Sequence, residues 1–350
     1  MARISENARQ GRRPRVLLLH VGGTIGMTET STGYVPDAEV LDRFLRESRL
    51  LFHDDVPAFE RERLEPLLDS ADMRPVDWWR IARAIERRYD EFDGFVVLHG
   101  TDTMAYTASA LSFLLTGLTK PVILTGAQLS LEHVRSDGRA HITTALILAG
   151  SLAIPEVCVY FGSQLYRGNR VQKLHSADFV AFASGNLPPL ADVGVDIELN
   201  AHLIRPPGEG PLIARRPDRV PEVVALRLYP GMTAQALDRI LAPPTEGVIL
   251  ETYGTGNFPR GDHDLMAALA RATAPDRNVL VVNTSQCHSG RVEQDRYRTG
   301  QGLSSVGVIS GQDMTPEAAL TKLYVLLGTG RTPGEARILM SQDLAGELSG

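Results

Sequence analysis

The sequence predicts an α/β protein with a larger N-terminal domain and a smaller C-terminal domain, the larger built on a mostly parallel sheet flanked by helices. Short runs of consecutive apolar residues, such as RVLLLH at 15–20, are typical of strands buried on both faces of a parallel sheet. These runs alternate with helix-length segments, which predicts right-handed βαβ units. A stretch rich in proline, glycine and arginine interrupts the alternation after residue 201.

The apolar runs of the N-terminal domain predict strands at 15–20, 95–100, 121–126 and 156–161. Helices are expected between them, at about 75–90, 104–117 and 138–150. Pro75 suits the first position of a helix, because the N–H it lacks would be unpaired there. The segment that begins at Met104 ends in a glycine, a common residue at a helix end.

The interrupting stretch, HLIRPPGEGPLIARRPDRVPE, is interpreted as a linker. It divides the chain into a mobile tail (1–14), an N-terminal catalytic domain (15–201), a linker (202–221) and a C-terminal α/β domain (222–350). In the last of these, the sequence predicts strands at 223–229, 247–253 and 278–284. Helices are expected near 233–242, 262–273, 315–328 and 332–341.

Composition excludes several functional classes. The 350 residues are 43% hydrophobic and 22% charged, as in an ordinary globular protein, and the net charge of −6 disfavours nucleic acid as the main partner. No apolar run approaches the length of a membrane span, and the basic N-terminus lacks the apolar core of a secretory signal. With only Cys158 and Cys287 there is no disulfide framework, which favours a reducing cytoplasm.

The stretch HVGGTIGM, residues 20–27, directs attention to Thr24. It follows a buried strand and lies between glycines, which permit a tight turn and the close approach of another molecule. In open α/β sheets, ligands bind at such strand ends. The simpler alternative is a threonine whose hydroxyl bonds its own turn. Ten residues on, Tyr34 in GYVP either folds back over Thr24 or anchors a loop.

Two further stretches repeat this pattern of polar residues at a strand end or helix start. LLDSADM, 67–73, places Ser70 and Asp72 before a helix, where they suit capping or the binding of a carboxylate by free N–H groups. LHGTDTMAY, 98–106, places Thr101 and Asp102 after a buried strand, where they either cap a helix or face the first glycine–threonine turn. A carboxylate at that point is suited to binding an ammonium group.

Lys173 lies in a polar segment after the strand at 156–161. A lone lysine in such a segment is usually solvated, whereas a lysine beside Asp102 and Thr101 is placed to serve as a base. The sequence does not support the common motifs for nucleotide binding, zinc binding, redox chemistry or a serine nucleophile, which are G-x-G-x-x-G, G-x-x-x-x-G-K-[ST], H-E-x-x-H, C-x-x-C and G-x-S-x-G. The histidines are scattered and indicate no metal site.

From about residue 15 onward the chain resembles the bacterial-type L-asparaginase family, in particular its cytoplasmic type I branch. The paired glycine–threonine motifs are together highly specific. The matching stretches are GGTIGM at 22–27, GYVP at 33–36, LLDSADM at 67–73, FVVLHGTDTMAYTASALSF at 95–113, TGAQ at 125–128, RSDG at 135–138, LYRGNR with Lys173, FASGNLPPL at 182–190 and SQCHSG at 285–290.

The resemblance implies L-asparagine hydrolysis by acyl transfer from a threonine nucleophile. It makes Thr24 the nucleophile and Tyr34 its assistant, and it groups Thr101, Asp102 and Lys173 as a supporting triad. No cofactor and no metal are implied. The small-molecule substrate is asparagine, and neither nucleic acid nor membrane is an expected partner.

The same resemblance implies how the substrate is bound. Ser70, flanked by Asp69 and Ala71, matches the position that holds the α-carboxylate. Asp102 also binds the α-ammonium group, the N–H of Thr101 contributes to an oxyanion hole, and Ala127 lies near the leaving amide. Many relatives have glutamine or serine where this chain has Ala71, which removes one possible side-chain hydrogen bond.

The cytoplasmic branch can carry a second asparagine site that activates the enzyme. Ser285 and Cys287 match its surroundings, but Glu251 stands where relatives have an arginine. Because a carboxylate repels the carboxylate of an effector, weak or absent activation is expected. The family also forms tetramers built from close dimers, with the loop at 253–259 as the candidate contribution across an interface.

Three alternatives accompany the asparaginase interpretation. A glutaminase-asparaginase differs by one methylene in its substrate, worth only about 1–3 kcal/mol, so this choice is left open. An amidotransferase subunit usually carries an additional N-terminal domain, whereas about 14 residues precede the first strand here, so this alternative is not expected. A non-catalytic amino-acid sensor on the same fold would have no need of the whole set of catalytic residues.

Overall fold

The computed structural model describes residues 12–31, 33–259, 261–294 and 302–349. The chain forms two compact units. The first runs to Ser184 and resumes at Pro188–Arg215, and the second contains Gly185–Leu187 and continues from Arg216. The predicted linker spans this boundary, while the predicted tail lies outside the described residues as far as residue 11.

The first unit contains, within its described residues, an eight-stranded sheet in the order β13-β12-β9-β8-β7-β5-β1-β4. The strands from β4 to β8 pair in parallel, and β9, β12 and β13 extend the sheet antiparallel. The bounds are β1 Arg15–Gly22, β4 Ala58–Leu68, β5 Gly94–Leu98, β7 Val122–Thr125, β8 Val157–Phe161, β9 Gln164–Arg167, β12 Ala191–Val193 and β13 Ile197–Leu199.

Helices cover the central strands, which are apolar on both faces. Residues of β1, β5, β7 and β8 are almost all buried, as their continuous apolar runs predict. The helices of this unit are α1 Ala38–Glu47, α2 Pro75–Arg88, α3 Met104–Leu114 and α4 Gly138–Ser151. Short strands pair beside the main sheet as β2 Met27–Thr30 with β3 Gly33–Pro36, β6 Leu115–Thr116 with β14 Ile213–Ala214, and β10 Gln172–Lys173 with β11 Phe182–Ala183.

The second unit contains a parallel sheet, four-stranded in its described part, in the order β15-β16-β17-β18. Two apolar clusters pack on its two faces. The strands are β15 Val223–Arg227, β16 Gly247–Thr252, β17 Leu280–Ser285 and β18 Ile309–Ser310. The helices are α5 Ala234–Leu241, α6 His263–Thr273, α7 Pro316–Gly328 and α8 Pro333–Met340. The predicted fold class, a mostly parallel α/β sheet with a separate smaller α/β domain, is confirmed.

Candidate active site

The two glycine–threonine turns lie against each other at the carboxyl edge of the first sheet. They meet because β1 and β5 are parallel neighbours. A Cβ placed on Gly23 would lie 2.3 Å from the amide nitrogen of Gly100, and one placed on Gly100 would lie 2.4 Å from Oγ of Ser70. Glycine is therefore required at both positions, and at Gly23 the positive φ of 91° adds to this requirement.

The segment around Ser70 is a short 3-10 turn at the same edge. Ser70 is buried, and its carbonyl oxygen accepts a hydrogen bond from Oγ1 of Thr103 at 2.8 Å. The amide N–H of Ala71 donates to Oδ1 of Asp69 at 3.0 Å, which caps the turn. Asp72 is exposed. These bonds fix the segment against the second glycine–threonine turn.

Lys173 is joined to the second turn by two hydrogen bonds. Its Nζ donates to Oγ1 of Thr101 at 2.7 Å and to Oδ1 of Asp102 at 2.7 Å. The lysine side chain is 17% exposed, whereas that of Asp102 is 64% exposed. The hydroxyl of Thr101 in turn donates to Oε1 of Gln128 at 3.3 Å. A cation, a carboxylate and a hydroxyl are thus held together at the end of β5, on a turn that touches the Thr24 turn.

Thr24 begins a 3-10 turn directly after Gly23. The turn is fixed by Ile25, whose side chain is buried and whose carbonyl accepts from the N–H of Leu131 at 3.2 Å. Thr24 itself is partly exposed, and among the described residues its hydroxyl has no hydrogen-bond partner. The alternative in which this hydroxyl bonds its own turn is therefore not what the structure contains.

Tyr34 lies on β3, in the exposed hairpin formed with β2. Its side chain is 49% exposed, and no hydrogen bond joins its hydroxyl to Thr24 or to any other part of the chain that the structure describes. The predicted closure of this tyrosine over Thr24 stays a prediction.

Ala127 is buried in the turn after β7, and this turn is held by a residue that sequence reasoning did not single out. The amide N–H groups of Gln128 and Leu129 donate to the two carboxylate oxygens of Asp137, at 2.9 and 3.1 Å. Asp137 directly precedes α4 and belongs to the RSDG stretch. The sequence signal that could have drawn attention to Asp137 is its position directly before a helix, where aspartates commonly occur.

The three residues of the predicted effector site lie at the ends of β16 and β17 in the second unit. The hydroxyl of Ser285 donates to the carbonyl of Gly254 at 2.6 Å and accepts from the N–H of Cys287 at 3.0 Å. Glu251 lies 3.6 Å from Arg227, and burial raises the pKa of its carboxyl group more than that arginine lowers it. A half-buried carboxylate therefore occupies this edge.

Groups of histidine, cysteine, aspartate and glutamate able to hold a metal ion are absent from the described ranges. The same ranges contain no helix long and apolar enough to cross a membrane.

Comparison with known proteins identifies the family. The profile described as "Asparaginase, N-terminal" matches residues 15–205, and that described as "Glutaminase/Asparaginase C-terminal domain" matches residues 222–340. Two-domain α/β proteins of this kind form the asparaginase family, and the chain belongs to it.

Individual relatives cover nearly the whole chain. L-asparaginase 1 of Escherichia coli (strain K12) is 44% identical over 95% of this chain and 98% of its own length. The crystal structure of L-asparaginase I from Vibrio cholerae is 40% identical with a TM-score of 0.89, covering 96% of this chain and 99% of the other. The thermostable L-asparaginase from Thermococcus kodakarensis is 35% identical with a TM-score of 0.83, covering 96% and 99%.

Proposed function

We propose that this protein is an L-asparaginase, which hydrolyses L-asparagine to L-aspartate and ammonia. The observation that carries the proposal is the pair of contacts from Lys173 to Thr101 and Asp102, on a turn packed against the one that presents Thr24. Membership of the asparaginase family and two full-length relatives named L-asparaginase support it.

In the first step, Oγ of Thr24 attacks the side-chain carbonyl carbon of asparagine. A new C–O bond forms, and the C–N bond then breaks. The proton lost by the hydroxyl leaves with the amide nitrogen as ammonia. We assign Tyr34 to this proton transfer after its hairpin closes, because general acid–base assistance commonly contributes about 10²–10⁴-fold.

In the second step, water attacks the carbonyl carbon of the β-aspartyl ester, and the bond to Thr24 breaks. The proton from water returns to the oxygen of Thr24. Thr101 is our candidate for orienting this water, because its hydroxyl is held by Lys173 and Gln128. The polar groups that do this are in place before substrate arrives, which lowers the reorganisation needed in the transition state.

Substrate orientation requires groups for both charged ends of the amino acid. One oxygen of Asp102 bonds Lys173, and its largely exposed carboxylate is available to the α-ammonium group. We assign the α-carboxylate to the turn of Asp69, Ser70 and Ala71. The oxyanion is assigned to the N–H of Thr101, and the leaving amide to the backbone of Ala127.

We further propose that the protein works in the cytoplasm as a homotetramer without strong activation by asparagine. The argument against activation is the half-buried carboxylate of Glu251 on β16, the strand that pairs with the one ending at Ser285. The loop at 253–259 is the proposed contribution across a subunit interface.

The deciding experiment measures ammonia release across asparagine and glutamine concentrations. Saturable, hyperbolic release from asparagine is expected, and Thr24→Ala should lower kcat at least about 10⁴-fold while aspartate still binds. Thr143→Val, which alters a hydroxyl bonded only within α4, is the matched control and should keep full activity. An active Thr24→Ala enzyme would refute the nucleophile, absence of release would refute the function, and a sigmoidal curve would refute the effector proposal.

A further inference from the structure

His99 is a fully buried histidine at the end of β5, directly before the turn that carries Thr101. Its Nδ1 lies 2.7 Å from the carbonyl oxygen of Gly100, and its Nε2 lies 2.9 Å from Oγ1 of Thr107 on α3. Because a carbonyl oxygen only accepts hydrogen bonds, Nδ1 must carry the hydrogen and donate it to Gly100.

The protonation state of the ring follows from its surroundings. Burial lowers the pKa of His99 to about 4, an effect larger than the opposite one of its bond to Gly100. At neutral pH the ring is therefore uncharged, and Nε2 has a lone pair that accepts the hydroxyl hydrogen of Thr107. The two bonds together fix one tautomer and one ring orientation.

The direction of the Gly100 carbonyl determines that of the next amide. The peptide bond between Gly100 and Thr101 is trans, since the cis bonds found in the described residues are Glu65–Pro66 and Pro243–Pro244. In a trans peptide the C=O and N–H bonds point in opposite directions. When His99 holds the carbonyl of Gly100 on its own side of the turn, the N–H of Thr101 must point away from the histidine.

That N–H is available to a ligand. Thr101 is only 6% exposed, and its amide N–H has no hydrogen-bond partner in the part of the chain that the structure describes. Buried N–H groups are nearly always paired with protein or water, so one that no protein group pairs is available to donate to a bound substrate. Gly100 has broad torsional freedom of its own, and the bond from His99 restricts it.

We propose that His99, held by Thr107, is a positioning residue that aims the amide N–H of Thr101 at the oxyanion formed from the side-chain carbonyl of asparagine. The inference rests on the proposed function and extends it to a residue that does not touch substrate. His99 exchanges no proton in the reaction. It acts by holding one peptide plane, so its contribution is realised in the transition state, where the negative charge develops.

The test compares two amide replacements that reach different ring positions. In His99→Asn the side-chain N–H stands near the place of Nδ1 and can still donate to Gly100, whereas in His99→Gln it stands near Nε2 and cannot. Removal of an oxyanion donor commonly costs about 10²–10³ in kcat, and misdirection costs part of that. We expect kcat to fall about 10- to 100-fold in His99→Gln, with KM within about threefold, and to fall clearly less in His99→Asn.

Three further measurements separate positioning from a merely structural role. Thr107→Val should lower kcat about three- to tenfold with KM unchanged, and Thr107→Ser should restore it. The control, Thr321→Val, removes an equally buried helix hydroxyl in the second unit, so it should lower stability but not kcat. The pH dependence of kcat should keep the wild-type shape in every variant, because His99 is uncharged at neutral pH in the wild type and its replacement removes no charge there.

Each outcome has a stated meaning. Four results would overturn the proposal. The first is an equal kcat in His99→Gln and the wild type, and the second is a loss of kcat that follows thermal stability alone. The others are a rise in KM without a fall in kcat, and a shift in the acid limb of the pH–kcat profile. If the histidine variants fail to fold, the Thr107 pair decides. The wild type is assayed first: no ammonia from asparagine refutes the function and this inference with it, whereas an active wild type with an unaffected His99→Gln refutes the inference alone.

Discussion

The turn at 99–103 and the hairpin formed by β2 and β3 both carry residues assigned to catalysis, yet they are built differently. In the turn, His99, Thr101 and Thr103 are each hydrogen-bonded, and the first two are buried. In the hairpin, Tyr34 is 49% and Val35 is 40% exposed. The turn is therefore organised before substrate binds, whereas the role proposed for Tyr34 requires the hairpin to move towards Thr24.

The hairpin is fixed at its base by hydrogen bonds to neighbouring segments. The N–H of Asp37 donates to the carbonyl of Gly26 at 2.8 Å, and the hydroxyl of Ser130 donates to that of Met27. Near the tip, Gly33 has a φ of 118° and no atom within 4 Å of where a Cβ would stand. A glycine in that conformation gives the strand beside Tyr34 freedom that other residues would lose.

Between the turn and the hairpin, the larger effect is expected from breaking the turn at Lys173. Lys173→Met removes the group that joins the hydroxyl of Thr101 to the carboxylate of Asp102. We expect kcat to fall about 10²–10⁴-fold, the range for a positioned acid–base group. Steady-state ammonia release measures this.

Lys120→Met is the matched control for that change. Its Nζ donates to the carbonyl of Tyr89 at 2.6 Å and is also partly buried, but it lies in the turn before β7, at the amino end of that strand. The control should lose stability while it keeps kcat. Equal loss of kcat in both variants would show that the effect of Lys173→Met is general destabilisation.

A smaller effect is expected from the hairpin. Tyr34→Phe removes a hydroxyl that has no hydrogen bond in the described structure, so the melting temperature should stay the same. If the hairpin closes, kcat should fall about a hundredfold. Tyr229→Phe, in which a 51% exposed tyrosine of the second unit is changed, should leave kcat and stability as they are. Full activity of Tyr34→Phe would exclude the tyrosine from proton transfer.

The difference between the packed turn and the exposed hairpin also explains which parts of the site the sequence could predict. Buried strands that end in glycine and threonine predict parallel neighbours whose turns meet, and the turns of Gly23 and Gly100 do meet. The strand at Ala58–Leu68 was missed, because its alternating arginine and glutamate residues suit an exposed edge strand and mask the apolar signal. Tyr34 is 49% exposed, so packing against the described residues sets its side-chain position only in part.

Residues that act through the backbone were also missed. Asp137 and His99 bond N–H and C=O groups of turns rather than other side chains, and such bonds depend on tertiary geometry that no spacing motif encodes. The resemblance to a family supplied the roles of the groups expected to touch substrate, among them the N–H of Thr101. It did not supply the residues that hold the peptide planes in place.

The smallest effect is expected at His20 on β1, and it concerns the free energy of unfolding rather than kcat. A Cβ on Gly26, at the base of the hairpin, would lie 3.0 Å from Nε2 of His20. The ring is fully buried, and in the described structure neither nitrogen has a hydrogen-bond partner. Burial first, and then the positive charges of Arg63 and Arg61, lower the pKa of His20 to about 4.

The sign of the pH effect follows from that lowered pKa. Below pH 6.5 the unfolded chain binds a proton that the folded chain excludes, so the free energy of unfolding falls as the pH drops from 6.5 towards 4. Between pH 7 and pH 5 this single group accounts for about 2 kcal/mol. Urea titrations at pH 7 and pH 5 measure how much unfolding free energy is lost between them. In His20→Leu this loss should be smaller by that amount, because His99 and His141 still contribute equally to both proteins. An identical loss in wild type and variant would show that His20 does not cause the loss.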